Sequence, residues 1–83
     1  MAESKDPAID LVELIAKALV DDPDSVEVEK ASEQSNLLKL VVAPGDLGKV
    51  IGKKGRTAKS IRTVLSAAGS KRNRRYALDI VEP

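Results

Sequence analysis

The residues best placed to do chemistry lie in one short stretch, Gly52-Lys53-Lys54-Gly55, preceded by Val50-Ile51 and followed by Arg56. A glycine at each end lets the backbone turn sharply and leaves no Cβ to block another molecule's backbone. The two lysines put positive charge at the tip. If a helix begins just after Gly55, its free N–H groups and dipole face the same point, which suits an anion. Such a loop would hold phosphates without reading bases.

Other glycine-rich phosphate loops fit poorly. A P-loop needs four residues between its glycines and a Ser or Thr after the lysine. Here Gly48 and Gly52 enclose three, and Lys53 is followed by Lys54. The dinucleotide fingerprint is absent too. A helix-hairpin-helix DNA module resembles the stretch loosely, although its glycines sit closer together. An ordinary helix–helix turn would not need two lysines at its tip and a basic helix after it.

The elements that must position this loop follow from periodicity. Asp6-Pro7 suits a helix start, and Ala8, Leu11, Val12, Ile15 and Leu19 recur at spacings of three and four, predicting a helix over 7–20. Asp21-Asp22-Pro23-Asp24 ends it. Residues 25–30 alternate apolar and charged, as a half-wet strand does, and 31–36 form a turn. The denser apolar run 37–42 predicts a central strand that forms an antiparallel hairpin with the first. Pro44-Gly45 then breaks the chain, and Asp46 is placed to cap a short helix over 47–51. A longer helix follows from about Arg56 to Ala68. Ala58, Ile61, Val64, Leu65 and Ala68 lie on its apolar side, and Gly69 serves as its stop. The basic loop 70–73 leads into a last strand over 74–81, with Tyr76, Leu78 and Ile80 on one face.

The order α-β-β-α-α-β implies a hairpin joined by a right-handed crossover. That is an α+β sandwich in which a three-stranded mixed sheet carries three helices on one face. The 83 residues suit one domain over 1–83, with 1–6 as a flexible tail.

Composition excludes several functions. The chain has no Cys and no His, so disulfides, thiol chemistry, His-based metal sites and Ser-His or Cys-His catalysis are ruled out. No pair of carboxylates stands out from surface charge, so no enzyme is expected and no cofactor is implied. No apolar run is long enough to span a bilayer, and a cytoplasmic location is the default. The net charge of +1 hides an asymmetry. Residues 1–43 hold four basic and ten acidic residues, whereas 44–83 hold ten basic and three acidic. A basic half on a near-neutral chain suggests a polyanion partner on one side.

Val50-Ile51-Gly52-Lys53-Lys54-Gly55-Arg56, set between two helices, resembles the signature of the KH domain, an RNA-binding module whose GXXG loop clamps a single strand. Ile61 matches the aliphatic position on the following helix, and Ala58 departs from the larger residue usual there. The element order resembles the bacterial, type II form, and the likeness covers nearly the whole chain, as in small bacterial single-KH proteins. The resemblance implies that Gly52, Lys53, Lys54 and Gly55 grip a sugar–phosphate backbone and that Ile51 and the next helix line one wall. Leu40 and Val42, or the last strand, would form the floor. Arg56, Lys59 and Arg62 would extend the phosphate track, and Lys71 and Arg72 of the basic loop would close the groove. It also implies self-association, or pairing with a second KH-containing RNA-binding protein. With one Tyr and no Phe or Trp, the chain cannot stack bases on a set of aromatic rings. One such module should therefore bind single-stranded RNA weakly and with little base preference, as an RNA chaperone or post-transcriptional regulator does. The alternatives are a protein-interaction module and a helix-hairpin-helix-like DNA binder. The intact glycines and lysines favour RNA.

Overall fold

A computed structural model describes residues 6–32 and 35–81. Three helices and three strands run in the order α1 (Pro7–Leu19), β1 (Glu27–Lys30), β2 (Leu37–Val41), α2 (Leu47–Ile51), α3 (Arg56–Ser70) and β3 (Ala77–Val81). The sheet order is β1-β2-β3. β1 pairs antiparallel with β2, Val28 opposite Leu40. β3 pairs parallel with β2, Leu38 opposite Leu78 and Leu40 opposite Ile80. This is the expected α+β arrangement of the type II KH fold, with the crossover through α2 and α3 returning β3 beside the central strand.

The core is aliphatic. Leu38 and Leu40 point from the same face of β2 and are fully buried. Val12 and Ala16 of α1, Val50 of α2, Ile61 and Leu65 of α3 and Leu78 of β3 close over them. Ala8 and Ala16 lie within the buried stripe of α1, and their small size lets that helix sit close to the sheet. Each buried Leu contributes about 1.5–3 kcal/mol. The other face of the sheet is wetter: Glu27, Glu29, Lys39, Ala77 and Asp79 are exposed there.

Element ends differ from the periodicity-based bounds for identifiable reasons. β1 starts at Glu27 because Pro23–Ser25 winds into a short 3-10 turn, in which the Ser25 hydroxyl donates to Asp22 Oδ2 at 2.8 Å. β3 starts at Ala77 because the Arg74 amide donates back to the Gly69 carbonyl at 2.8 Å, holding residues 74–76 over the end of α3. Gly69 is not the helix stop. It lies buried inside α3, where a Cβ would come within 2.6 Å of the Arg74 carbonyl oxygen and 2.8 Å of Tyr76 Cδ2. The chain reverses at Asn73, φ 59°. Val64 is 46% exposed, rotated off the stripe formed by Ala58, Ile61 and Leu65. Leu14 is exposed as well, whereas Ile9 and Val81, also candidates for exposure, are half-buried.

Asp6 ties the two ends of the described chain together. Its Oδ1 accepts the Ala8 amide at 3.0 Å, capping α1. The Tyr76 hydroxyl donates to the same carboxylate at 2.9 Å. Lys30 and Arg74 each bring a nitrogen to 3.7 Å from Oδ2. Asp6 is therefore anchored, although the expected tail included it; residues 1–5 of that tail lie outside the described residues. Burial pushes the carboxyl up, but the Ala8 amide, the Tyr76 hydroxyl and the Lys30 and Arg74 charges outweigh it and hold the group below its ordinary 3.8. A depressed carboxylate stabilises the fold above its unfolded-state value and loses that contribution as pH falls through the lower folded value. Urea midpoints should therefore drop as pH is lowered through 3.8 and below. Asp6→Asn keeps a good helix cap but not the charge. It should be less stable than the wild type at pH 7 and show a shallower acid decline.

Candidate nucleic-acid interface

The loop between α2 and α3 takes its shape from three positive φ angles in four residues. Gly52 has φ 77°, Lys54 57° and Gly55 74°. Gly52 ends α2, its amide donating to the Gly48 carbonyl at 2.8 Å, and Gly55 opens α3, its amide donating to the Gly52 carbonyl at 3.1 Å. The two glycines differ in what they tolerate. A Cβ on Gly52 would collide with the Thr57 hydroxyl and lie 2.6 Å from Thr57 Cβ and 2.9 Å from Thr57 N. A Cβ on Gly55 would enter open space.

Lys53 and Lys54 are exposed at the tip. Gly55 offers no side chain to cap the 15-residue α3, and the Arg56 amide donates to the Lys53 carbonyl. Lysine charge and the positive end of the helix dipole converge where an anion would sit. Ile51 and both glycines are half-buried and form the apolar base of the loop.

On α3, Gly55, Lys59, Arg62 and Ser66 are spaced four, three and four apart and stack in one stripe. Arg62 fixes where that stripe faces, because its Nε donates to the Leu78 carbonyl at 3.2 Å. Gly55, Lys59 and Arg62 thus run along the side of α3 that meets β3. Arg56 belongs to the neighbouring stripe, with Ser60 and Thr63, and looks further into solvent. The floor cannot come from Leu40 and Val42, which are only 0% and 1% exposed. The edge strand β3 is the surface available beside the stripe. Lys71 and Arg72 are exposed at the opposite end of α3, about 22 Å from the glycine loop at 1.5 Å per residue. An open depression of about 290 Å³ lies there, lined by Ser70, Asn73, Arg74 and Arg75. The structure therefore gathers Ile51, Gly52, Lys53, Lys54, Gly55, Lys59 and Arg62 along one edge and leaves Lys71 and Arg72 as a separate basic end.

Asp46 does not cap α2 with its side chain. Its Oδ2 accepts the Asp22 amide at 3.0 Å, across 24 residues, and the residue is only 4% exposed. It thereby pins the start of α2, and with it the loop, to the turn after α1. An exposed Lys49–Asp21 ion pair at 3.3 Å spans the same junction. Among the described residues no cluster of acidic side chains could hold a metal ion, and no helix is long and apolar enough to cross a membrane.

A family model of the KhpA/KhpB KH domain matches residues 9–80, which include every helix and strand but the first two residues of α1 and the last residue of β3. The chain belongs to the KhpA/KhpB KH-domain family. It is 58% identical over 72 residues to the RNA-binding protein KhpA of Clostridium acetobutylicum, covering 86% of this chain and 96% of that protein. To the KhpA of Clostridium perfringens it is 53% identical, covering 87% and 97%, and to that of Aquifex aeolicus 50% identical, covering 88% and 94%. These relatives are named as RNA-binding proteins, and the family is not one of enzymes. Among solved structures, Aquifex aeolicus Era bound to GDP and aluminium fluoride superposes with a TM-score of 0.58 at 20% identity. An Era complex with nucleotides 1506–1542 of 16S ribosomal RNA gives 0.56 at 20% identity. The match covers 99% of this chain but only 33% and 35% of the Era chains, and at 20% identity it speaks to the fold alone.

The two glycines should separate in a stability measurement. Gly52→Ala combines left-handed strain with overlap on Thr57 and should cost about 3 kcal/mol or more. Gly55→Ala meets only the strain and should cost about 1–2 kcal/mol. Gly55→Asn should cost less, since Asn tolerates this region. Urea denaturation of the three variants measures the order. Asp46→Ala leaves the Asp22 amide without its charged acceptor and should cost about 1.5–3 kcal/mol in the same assay.

Proposed function

We propose that this protein binds single-stranded RNA, gripping the sugar–phosphate backbone at Gly52-Lys53-Lys54-Gly55 and guiding it along α3 past Lys59 and Arg62. The observation that carries this reading is the start of α3, without a side-chain cap, beneath two exposed lysines, on a turn whose first glycine admits no side chain. The KhpA relatives are named for RNA binding, which agrees with it. Arg56, Lys71 and Arg72 add positive charge on either side of the track. The chemistry is mostly charge against phosphate, so affinity is modest and base preference slight, as suits an RNA chaperone or post-transcriptional regulator in the cytoplasm. Pairing with a second copy, or with a second KH-containing RNA-binding protein, would raise affinity through avidity. The exposed Leu14, at 69%, is consistent with such a surface.

Lys53→Asp combined with Lys54→Asp should abolish binding of short single-stranded RNA while leaving the melting temperature nearly unchanged, because both side chains are exposed. Aspartate also accepts the left-handed backbone at position 54. For the wild type, log affinity should fall against log salt with a slope of about −0.7 for each phosphate neutralised. A gel shift beside a melting curve tests the first expectation, and a salt titration the second. Full binding by the folded double variant, or an affinity indifferent to salt, would exclude a phosphate clamp here.

A further inference from the structure

Lys49 is the one cation on α2, and it already has a partner. Its Nζ lies 3.3 Å from Asp21 Oδ2. Lys49 and Gly52 are three residues apart, so the lysine shares a side of α2 with the glycine turn. Gly48 beside it is exposed and a Cβ there would meet nothing, which leaves the α2 surface around Lys49 bare. The Cα–Cβ bond of a helical residue leans toward the helix start. Asp21 holds the ammonium on that side, away from the loop. Asp21 is itself kept in place, because the next residue, Asp22, gives its amide to the Asp46 carboxylate at 3.0 Å. The carboxylate nonetheless stands in water, 83% exposed. An exposed pair of this kind is weak and is screened by salt. It yields to a stronger anion within reach of Lys49, and the glycine loop begins about one helical turn away.

From this arrangement we propose that Asp21 restrains RNA binding by competing with phosphate for Lys49. An incoming strand draws the ammonium from the carboxylate to a phosphate, and the pair opposes that step. The competition presupposes the RNA clamp proposed above and regulates it. Lys49 adds a cation on the α2 side of the loop, so the strand meets positive charge from both arms of the corner. Asp21, once released, stays hydrated because it is exposed, so the exchange leaves no charge buried without a partner. The restraint therefore lowers affinity without closing the site. Salt acts on it in two opposing ways: it screens the phosphates, and it loosens the pair that holds Lys49 back.

Fluorescence anisotropy with a hexauridine strand and the full chain tests this. Asp21→Asn should tighten binding about two- to five-fold at low salt, the range an exposed ion pair can supply. Lys49→Gln should weaken binding and flatten the slope of log affinity against log salt by about 0.7, one phosphate contact fewer. In the Lys49→Gln background, adding Asp21→Asn should change affinity little. In the Lys49→Arg background, which keeps the charge, it should tighten binding as it does in the wild type. Both side chains are exposed, so all these variants stay folded, as melting curves check. Unchanged affinity in Asp21→Asn, or an equal gain with and without the charge at position 49, would overturn the competition and leave the clamp standing. Full binding by the Lys53→Asp, Lys54→Asp variant would instead remove the clamp on which the competition rests.

Discussion

The site depends on one steric constraint: the chain must leave α2 and begin α3 within four residues while Thr57 packs under the turn. Only a residue without a Cβ can stand at position 52, because the space where a side chain would begin already belongs to Thr57. Once Gly52 has turned the chain, Lys53 and Lys54 are lifted into solvent and Gly55 delivers the start of α3 without a side-chain cap. The anion-attracting character of the loop is thus a by-product of fitting two helices to a sharp corner. The backbone creates the site, and the lysines strengthen it.

A corner is useful only if its arms are held still. α3 is fixed by Ile61 and Leu65 in the core, and its outer edge by Arg62 on β3. α2 has only five residues and one buried side chain, Val50, too little to hold a helix by itself. Asp46 supplies what it lacks by fastening the start of α2 to the turn after α1. The turn after α1 thus anchors the start of α2 through its backbone, with the carboxylate supplied by α2's own end of the chain. Asp6 and Asp46 sit at structural joints, whereas Lys53, Lys54 and Lys59 stand exposed.

The outline of this arrangement was legible in the sequence because it is written locally. Apolar spacing marked α1 and α3, alternation marked the strands, and the GXXG stretch stood out by residue type. What escaped depends on partners far along the chain. Asp46 looked like a helix cap because such residues usually serve their own helix; nothing nearby points to the amide of Asp22. Gly69 looked like a helix stop, but Tyr76 needs the space a side chain would take. Arg62 read only as a phosphate contact, and its hydrogen bond to the Leu78 carbonyl depends on a strand residue 16 positions away. Val64 satisfied the apolar pattern and still fell outside the core, because the buried stripe of a real helix is narrower than the pattern allows.

The Asp6–Tyr76 hydrogen bond joins residues 70 apart in sequence. Its consequence lies in how the protein is made. α1 emerges from the ribosome before β3, and two of the contacts on its Asp6 cap, from Tyr76 and Arg74, arrive only with the segment that leads into that strand. The β1–β2 hairpin emerges next, and a two-stranded ribbon is marginal alone. The parallel partner of the central strand is again the last element to appear. A chain wired in this way has little to gain from folding in pieces, so the nascent polypeptide stays loosely organised until β3 is available and then closes in one cooperative step.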